Sequence, residues 1–240
     1  MSSSRSGSFP RWVGDTLTDF KAGKDAGAHM AALRVYLALA LVADFDTRVA
    51  SLSWSDLQER TGLSRPMVKK GIAAAEKTGL ISVDASGHRH SYCLLRKSDD
   101  EIAFTQVPRL ELTRALSMLP TRGYHALDAL KMYITLLTVR LRNSDRSLIS
   151  HKKIGLRTGI QPGRIRAAID VLINHHLVHV DRAESSEAGG HPHNEYQLLG
   201  FSNRPPSGSG PSSVASPVAV IPANPNFLPP SLKGADDMPF

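Results

Sequence analysis

Hydrophobic positions follow helical and strand spacing in a definite order along the first hundred residues. Between residues 29 and 43 apolar side chains recur every three or four positions, which predicts a long helix. A short alternating run at residues 50–53 predicts a strand, and a helix around Leu57 and a third helix follow. The third helix buries Val68, Ile72 and Ala75 and ends at Gly79. Two further strands, at residues 80–83 and 91–95, flank a polar stretch typical of a β-hairpin.

The residues between these segments have the chemistry of helix ends. Ser53 or Ser55 can cap the helix around Leu57, because a serine hydroxyl accepts from the free amides of a first helical turn. Gly62 stands where a helix end favours positive φ. Ser64 is then placed to cap the third helix.

The same pattern occurs a second time. Residues 32–84 align without a gap with residues 129–181 at an offset of 97, and 13 of the 53 paired positions are identical. Typical residue frequencies give only about three matches in such an alignment. Residues 9–11 also match residues 107–109, and residues 92–95 match residues 196–199 after a seven-residue insertion. An internal duplication with domains at residues 9–97 and 104–201 is therefore predicted.

Helix, strand, helix, glycine turn, helix and hairpin is the order of a winged helix. The segment LQERTGLSRPMVKKGI at residues 57–72 resembles the helix-turn-helix core of bacterial winged-helix regulators, and the segment IGLRTGIQPGRIRAAI at residues 154–169 is its second copy. The second copy departs from the pattern, since Gln161 replaces the capping serine and Gly163 weakens the first turn. The resemblance implies an α+β, mainly α fold of two tandem winged-helix domains, and it implies DNA binding.

The charge of the chain agrees with a nucleic-acid partner. The formal net charge is +7 and the isoelectric point is near 9.7, and clustered Lys and Arg attract polyanions. If the third helix of each copy enters a groove, its outward face and the flanking basic residues make the contacts. The predicted DNA-binding residues are Ser64, Arg65, Met67, Lys69, Lys70, Arg89, Lys152, Lys153, Arg157, Arg164, Arg166 and Arg182.

The sequence offers little support for catalysis, metal binding or a membrane role. No nucleophile–base–acid set, phosphate-cradling glycine loop or metalloenzyme motif is present, so we predict neither an enzyme nor a cofactor. Histidine pairs lack the carboxylate or thiol that would complete a zinc site. The single Cys93 cannot form an internal disulfide, and no apolar run reaches the ~20 residues of a membrane span. A cytoplasmic protein without a membrane role is expected.

From residue 202 the composition changes, since nine of the 15 prolines lie in the last 39 residues among Ser, Gly and Asn. This composition predicts a disordered tail at residues 202–240. The tail ends in Asp236, Asp237, Met238, Pro239 and Phe240, a sequence that resembles the acidic C-terminal tip of bacterial single-stranded DNA-binding protein. The resemblance implies that these five residues recruit host replication, recombination and repair proteins, with the terminal Phe in an apolar pocket and its carboxylate on a basic residue.

Three classes of function remain open at this stage. The first is a genome-maintenance protein that binds single-stranded DNA and recruits host enzymes through its tip, and this class accounts for the whole chain. The second is a duplex-binding transcriptional regulator or a plasmid or phage replication initiator. The third is a docking scaffold without nucleic acid, which the isoelectric point disfavours. Strand preference, sequence specificity, oligomeric state and the recruited partner stay undetermined.

Overall fold

Helices make up about half of the residues that the structure describes, and small antiparallel sheets complete the regular structure. The computed structural model describes residues 6–86, 90–95, 103–141, 144–182 and 194–201, which all belong to one compact unit. The predicted mixed α+β fold rich in helix is therefore confirmed at this level. The assignment to winged-helix domains and their boundaries stays a prediction. No helix within the described ranges is both long and apolar enough to cross a membrane.

The first half of this unit, residues 6–95, contains a leading strand, three helices and a three-stranded sheet. Two short 3-10 helices, Arg11–Asp15 and Leu17–Asp19, follow the leading strand. The elements are β1 (Ser6–Pro10), α1 (Ala26–Ala40), β2 (Val49–Leu52), α2 (Trp54–Thr61), α3 (Arg65–Lys77), β3 (Ile81–Asp84) and β4 (His90–Leu94). β4 lies between β2 and β3 and is antiparallel to both.

The second half, residues 103–201, repeats this order with a longer helix after its leading strand. Its sheet has the corresponding order β6-β8-β7. The elements are β5 (Phe104–Pro108), α4 (Arg109–Met118), α5 (Tyr124–Val139), β6 (Arg146–Ile149), α6 (His151–Thr158), α7 (Pro162–Asn174), β7 (Val178–Arg182) and β8 (Asn194–Leu198). The bounds of β6, α6 and α7 are those of β2, α2 and α3 displaced by 97 residues.

Local sequence explains where several of these helices begin and end. Ser53 forms a capping box with Asp56 at the start of α2, and Gly62 ends α2 with φ of 64°. Gly159 ends α6 in the same way with φ of 67°. Gly62 and Gly159 both lie in the left-handed region that glycine tolerates best, so the turn predicted at Gly62 is confirmed and Gly159 repeats it.

Two predictions about helix ends were wrong. α1 runs over Ala26–Ala40 rather than residues 29–43, because hydrophobic spacing reports a buried face and not the residues at which a helix ends. Ser64 occupies the N-cap position of α3, but its side chain accepts no capping hydrogen bond. Pro66 stands in the first turn of α3 and has no amide proton, so one of the usual donors to the cap is missing.

The two halves exchange their leading segments. β1 pairs with β5 in antiparallel register with Ser8 opposite Gln106, which are equivalent positions of the two copies. α1 packs on α5, α4 packs on α2, and the 3-10 helices pack on α5 and α6. Each leading segment thus buries its apolar side chains against helices of the other half, and one continuous hydrophobic core results.

Two buried cations at equivalent positions hold these exchanged segments. Arg34 on α1 donates to the carbonyl oxygens of Leu119 at 3.0 Å and Pro120 at 2.9 Å, just after α4. Lys131 on α5 donates to the carbonyl oxygen of Phe20 at 2.9 Å, just after the second 3-10 helix. Burial lowers the pKa of Arg34 to about 10 and that of Lys131 to about 8.

Candidate nucleic-acid interface

The outward face of α3 carries cations that point into solvent. Val68, Ile72 and Ala75 are buried as predicted, and this leaves Lys69 and Lys70 exposed on the opposite side. Neither lysine forms an ion pair with any residue that the structure describes. Both ammonium groups are therefore available to a polyanion.

An aromatic and basic cluster lies beside the start of α3. The Arg65 guanidinium carbon is 5.8 Å from the ring centroid of Trp54, and the Trp54 indole Nε1 donates to His90 Nε2 at 3.3 Å. Trp54 is only partly buried. Because Ser64 leaves the first-turn amides of α3 without a side-chain cap, the positive end of this helix adds to the charge of Arg65.

Met67 is placed differently from the prediction. It is half-buried and packs against the hydrophobic core instead of projecting with the lysines. Its position in the first turn of α3 lies closer to the face that contacts α1 than the spacing of Val68, Ile72 and Ala75 suggested. Met67 is therefore a packing residue in this structure.

In the second half, the predicted cations divide into exposed and paired side chains. Arg166 on α7 and Lys152 and Lys153 on α6 are exposed. Arg157 forms an ion pair with Asp15 of the first 3-10 helix, with Nη2 and Oδ1 2.8 Å apart, so its charge is partly neutralised. Arg166, Lys152 and Lys153 are the members of this group with no ion pair among the described residues.

Arg164 does not have the exposed position that was predicted for it. Its guanidinium forms an ion pair with Asp128, whose side chain is 3% exposed, and lies 4.2 Å from the ring centroid of Tyr124. Burial raises the pKa of Asp128, and the charges of Arg164 and Lys131 oppose that rise. Contact with DNA through Arg164 would break a buried ion pair, so its role here is to attach α7 to α5.

The remaining predicted residues are only partly described. Arg182 is the last residue of β7 and pairs through its backbone register with Asn194. Arg89 and the five tip residues, Asp236, Asp237, Met238, Pro239 and Phe240, lie outside the described residues, as does the predicted tail at residues 202–240.

Sequence reasoning missed two side-chain pairings at the candidate interface. The Asp128–Arg164 pair joins residues 36 positions apart, and its only signal was an acidic residue within a mostly apolar helix, α5. The hydrogen bond between Trp54 and His90 also joins distant positions, from the start of α2 to β4. Neither pairing has a short-range sequence signature.

Comparison with known proteins adds no relative. No protein-family model matches this chain, and no curated protein matches it. The charged surfaces and the repeated order of elements are therefore the features that bear on function.

Proposed function

We propose that this protein binds DNA, preferably single strands, through two winged-helix halves. The observation that carries the proposal is the exposed basic face of α3, where Lys69 and Lys70 lie opposite a fully packed apolar face. A rigid helix that offers cations without intramolecular partners is suited to phosphate contacts. Arg166 on α7 is likewise an exposed cation, and it occupies the position equivalent to Lys69.

The preference for single strands is supported by the cluster at Trp54. The indole of Trp54 packs partly against the hydrophobic core, and the part that stays accessible, next to Arg65 and His90, combines a π-face for an unpaired base with a cation for its phosphate. Recruitment of replication and repair proteins by residues 236–240 belongs to the same proposal, and its support is the resemblance of those residues to the tip of single-stranded DNA-binding protein.

Duplex binding, as in a transcriptional regulator or replication initiator, is the second candidate. The observation in its favour is that β1 and β5 pair at equivalent positions, which relates the two halves by an approximate twofold axis. Two matched helices related in this way suit two half-sites of a duplex.

Competition between nucleic acids tests the two candidates. A fluorescent oligo-dT bound to the full chain is displaced by unlabelled oligo-dT and by a duplex of equal length at one salt concentration. We expect oligo-dT to compete at lower concentration, with little dependence on base sequence. A strong preference for one duplex sequence would establish the second candidate, because base-edge contacts discriminate by ~1 to 3 kcal/mol each. No binding to either nucleic acid would refute both.

A further inference from the structure

An apolar groove opens on the outer face of β6 and α6 in the second half. Its volume is about 410 Å³. Leu148 is 48% exposed and Leu156 is 71% exposed at this groove. The lining residues are Val139, Leu148, Ile149, Lys153, Leu156 and Arg157.

The first half provides an internal comparison for these leucines. At an offset of 97 residues, Ser51 takes the place of Leu148 and Glu59 takes the place of Leu156, and both polar residues are exposed. The backbone elements that carry the two pairs have the same bounds in each copy. Since the fold forms in the first half with serine and glutamate, folding does not require leucine at either position. The exposed apolar surface of the second half therefore calls for a functional explanation.

The charges around the groove indicate what binds there. Lys153 lines it, and the neighbouring Lys152 is also exposed, whereas the position equivalent to Lys153 in the first half is Asp56. A second copy of this chain would place one basic rim against another, which opposes self-association. A nucleic acid would be attracted by the lysines but would leave Leu148 and Leu156 without apolar contacts.

We infer that this groove binds an acidic segment of a partner protein that inserts apolar side chains between Leu148 and Leu156. Its Asp or Glu residues contact Lys152 and Lys153, and the leucines lose their exposure to water on binding. This docking site goes beyond the DNA binding proposed above. It shares Lys152 and Lys153 with the candidate nucleic-acid interface, but it does not require that the protein binds DNA.

A peptide library displayed on phage and selected on the full chain tests this inference. Recovered peptides are synthesised with a fluorescent label, and their affinities are measured by anisotropy for the parent protein and for the double variant Leu148→Ser with Leu156→Gln. This variant introduces polar side chains without changing charge. The matched control is Ser51→Thr with Glu59→Asp at the equivalent positions of the first half, which also leaves the charge unchanged. Thermal unfolding by circular dichroism establishes that both variants fold.

We expect the recovered peptides to combine Asp or Glu with Leu, Phe or Met. Their affinity should fall at least about tenfold in the groove variant and about tenfold in Lys153→Glu, and it should be unchanged in the control. The affinity of the groove variant for oligo-dT should equal that of the parent. If the library yields no such consensus, or if the peptides bind the groove variant as tightly as the parent, the inference is wrong.

Two further outcomes would assign the groove to another occupant and overturn the inference. A parent protein that sediments as a dimer and becomes monomeric in the groove variant would make the occupant a second copy. A loss of oligo-dT affinity in the uncharged groove variant would make it nucleic acid. Failure of DNA binding in the parent protein would leave the peptide result unaffected, so the two proposals fail separately.

Discussion

The first and second halves have the same order of helices and strands, but the equivalent surfaces differ in chemistry. α3 packs on α1 through apolar contacts and exposes Lys69 and Lys70, while α7 adds the ion pair Arg164–Asp128 to its apolar contacts with α5. α2 is polar and partly acidic on its outer face where α6 is apolar and basic. Two halves with the same order of elements can therefore share helix ends and a common core while their exposed positions differ in charge and polarity.

The largest expected effect concerns the buried ion pair of the second half. Asp128→Ala should lower the free energy of unfolding by about 3 to 5 kcal/mol, because it leaves Arg164 unpaired and removes a negative charge near Lys131. Urea denaturation followed by circular dichroism measures this loss.

The first half suggests the compensating change. Its residues at the two equivalent positions are Ala31 and Met67, so Asp128→Ala with Arg164→Met reproduces the apolar arrangement. We expect the double variant to be at least ~1 kcal/mol more stable than Asp128→Ala alone. Strictly additive losses would show that the two side chains do not act as a pair.

The glycines that end α2 and α6 should differ in their tolerance of a side chain. A Cβ on Gly62 would meet the carbonyl oxygen of Ser117 at 2.5 Å, whereas a Cβ on Gly159 would meet nothing within 4 Å. Gly159→Ala should therefore cost only about 1 kcal/mol, for its left-handed backbone. Gly62→Ala should cost about 2 kcal/mol more, because α4 must shift. Equal losses of stability for the two variants in thermal or urea unfolding would show that α4 can shift without an energetic cost.

DNA binding should depend more on α3 than on α7. Lys69→Glu with Lys70→Glu should weaken binding to oligo-dT by about ten- to a hundredfold and flatten its salt dependence, since fewer counterions are released. Arg166→Glu should weaken it by about three- to tenfold. Lys21→Glu with Lys24→Glu changes the net charge as much as the α3 variant but lies outside the helix, and it serves as the control. If fluorescence anisotropy shows the same loss of oligo-dT affinity in the control and in the α3 variant, α3 is not part of the contact surface.

The smallest expected effect is a pH dependence of the free energy of unfolding, which we expect from the buried Lys131 but not from the buried Arg34. The pKa of Lys131 is lowered to about 8, so between about pH 8 and about pH 9.5 the unfolded chain binds more protons than the folded chain. Stability should therefore rise by about 1 kcal/mol across this range. Arg34, with its pKa near 10, stays largely charged there.

The control for this effect is Lys131→Met, whose stability should vary less over the same pH range. Urea denaturation at several pH values compares the variant with the parent. The same slope in both proteins would show that Lys131 is not the group responsible.

Short-range patterns in the sequence determined much of the local structure. The spacing of Val68, Ile72 and Ala75 identified the buried face of α3, and Gly62 identified the end of α2. The offset of 97 residues located α6 and α7 once α2 and α3 had been recognised. These features depend on neighbours within a few residues, and the repeat at an offset of 97 residues contains them twice.

Only the tertiary structure decided which of the predicted cations are exposed and which form ion pairs, and which elements of the two halves pack together. Arg164 and Arg166 are two positions apart in sequence, yet the first lies over Tyr124 and pairs with Asp128 while the second is exposed. The groove at Leu148 likewise forms only where β6 and α6 come together with the end of α5. An ion pair or a groove depends on distances between residues far apart in the chain, and periodicity carries no information about those distances.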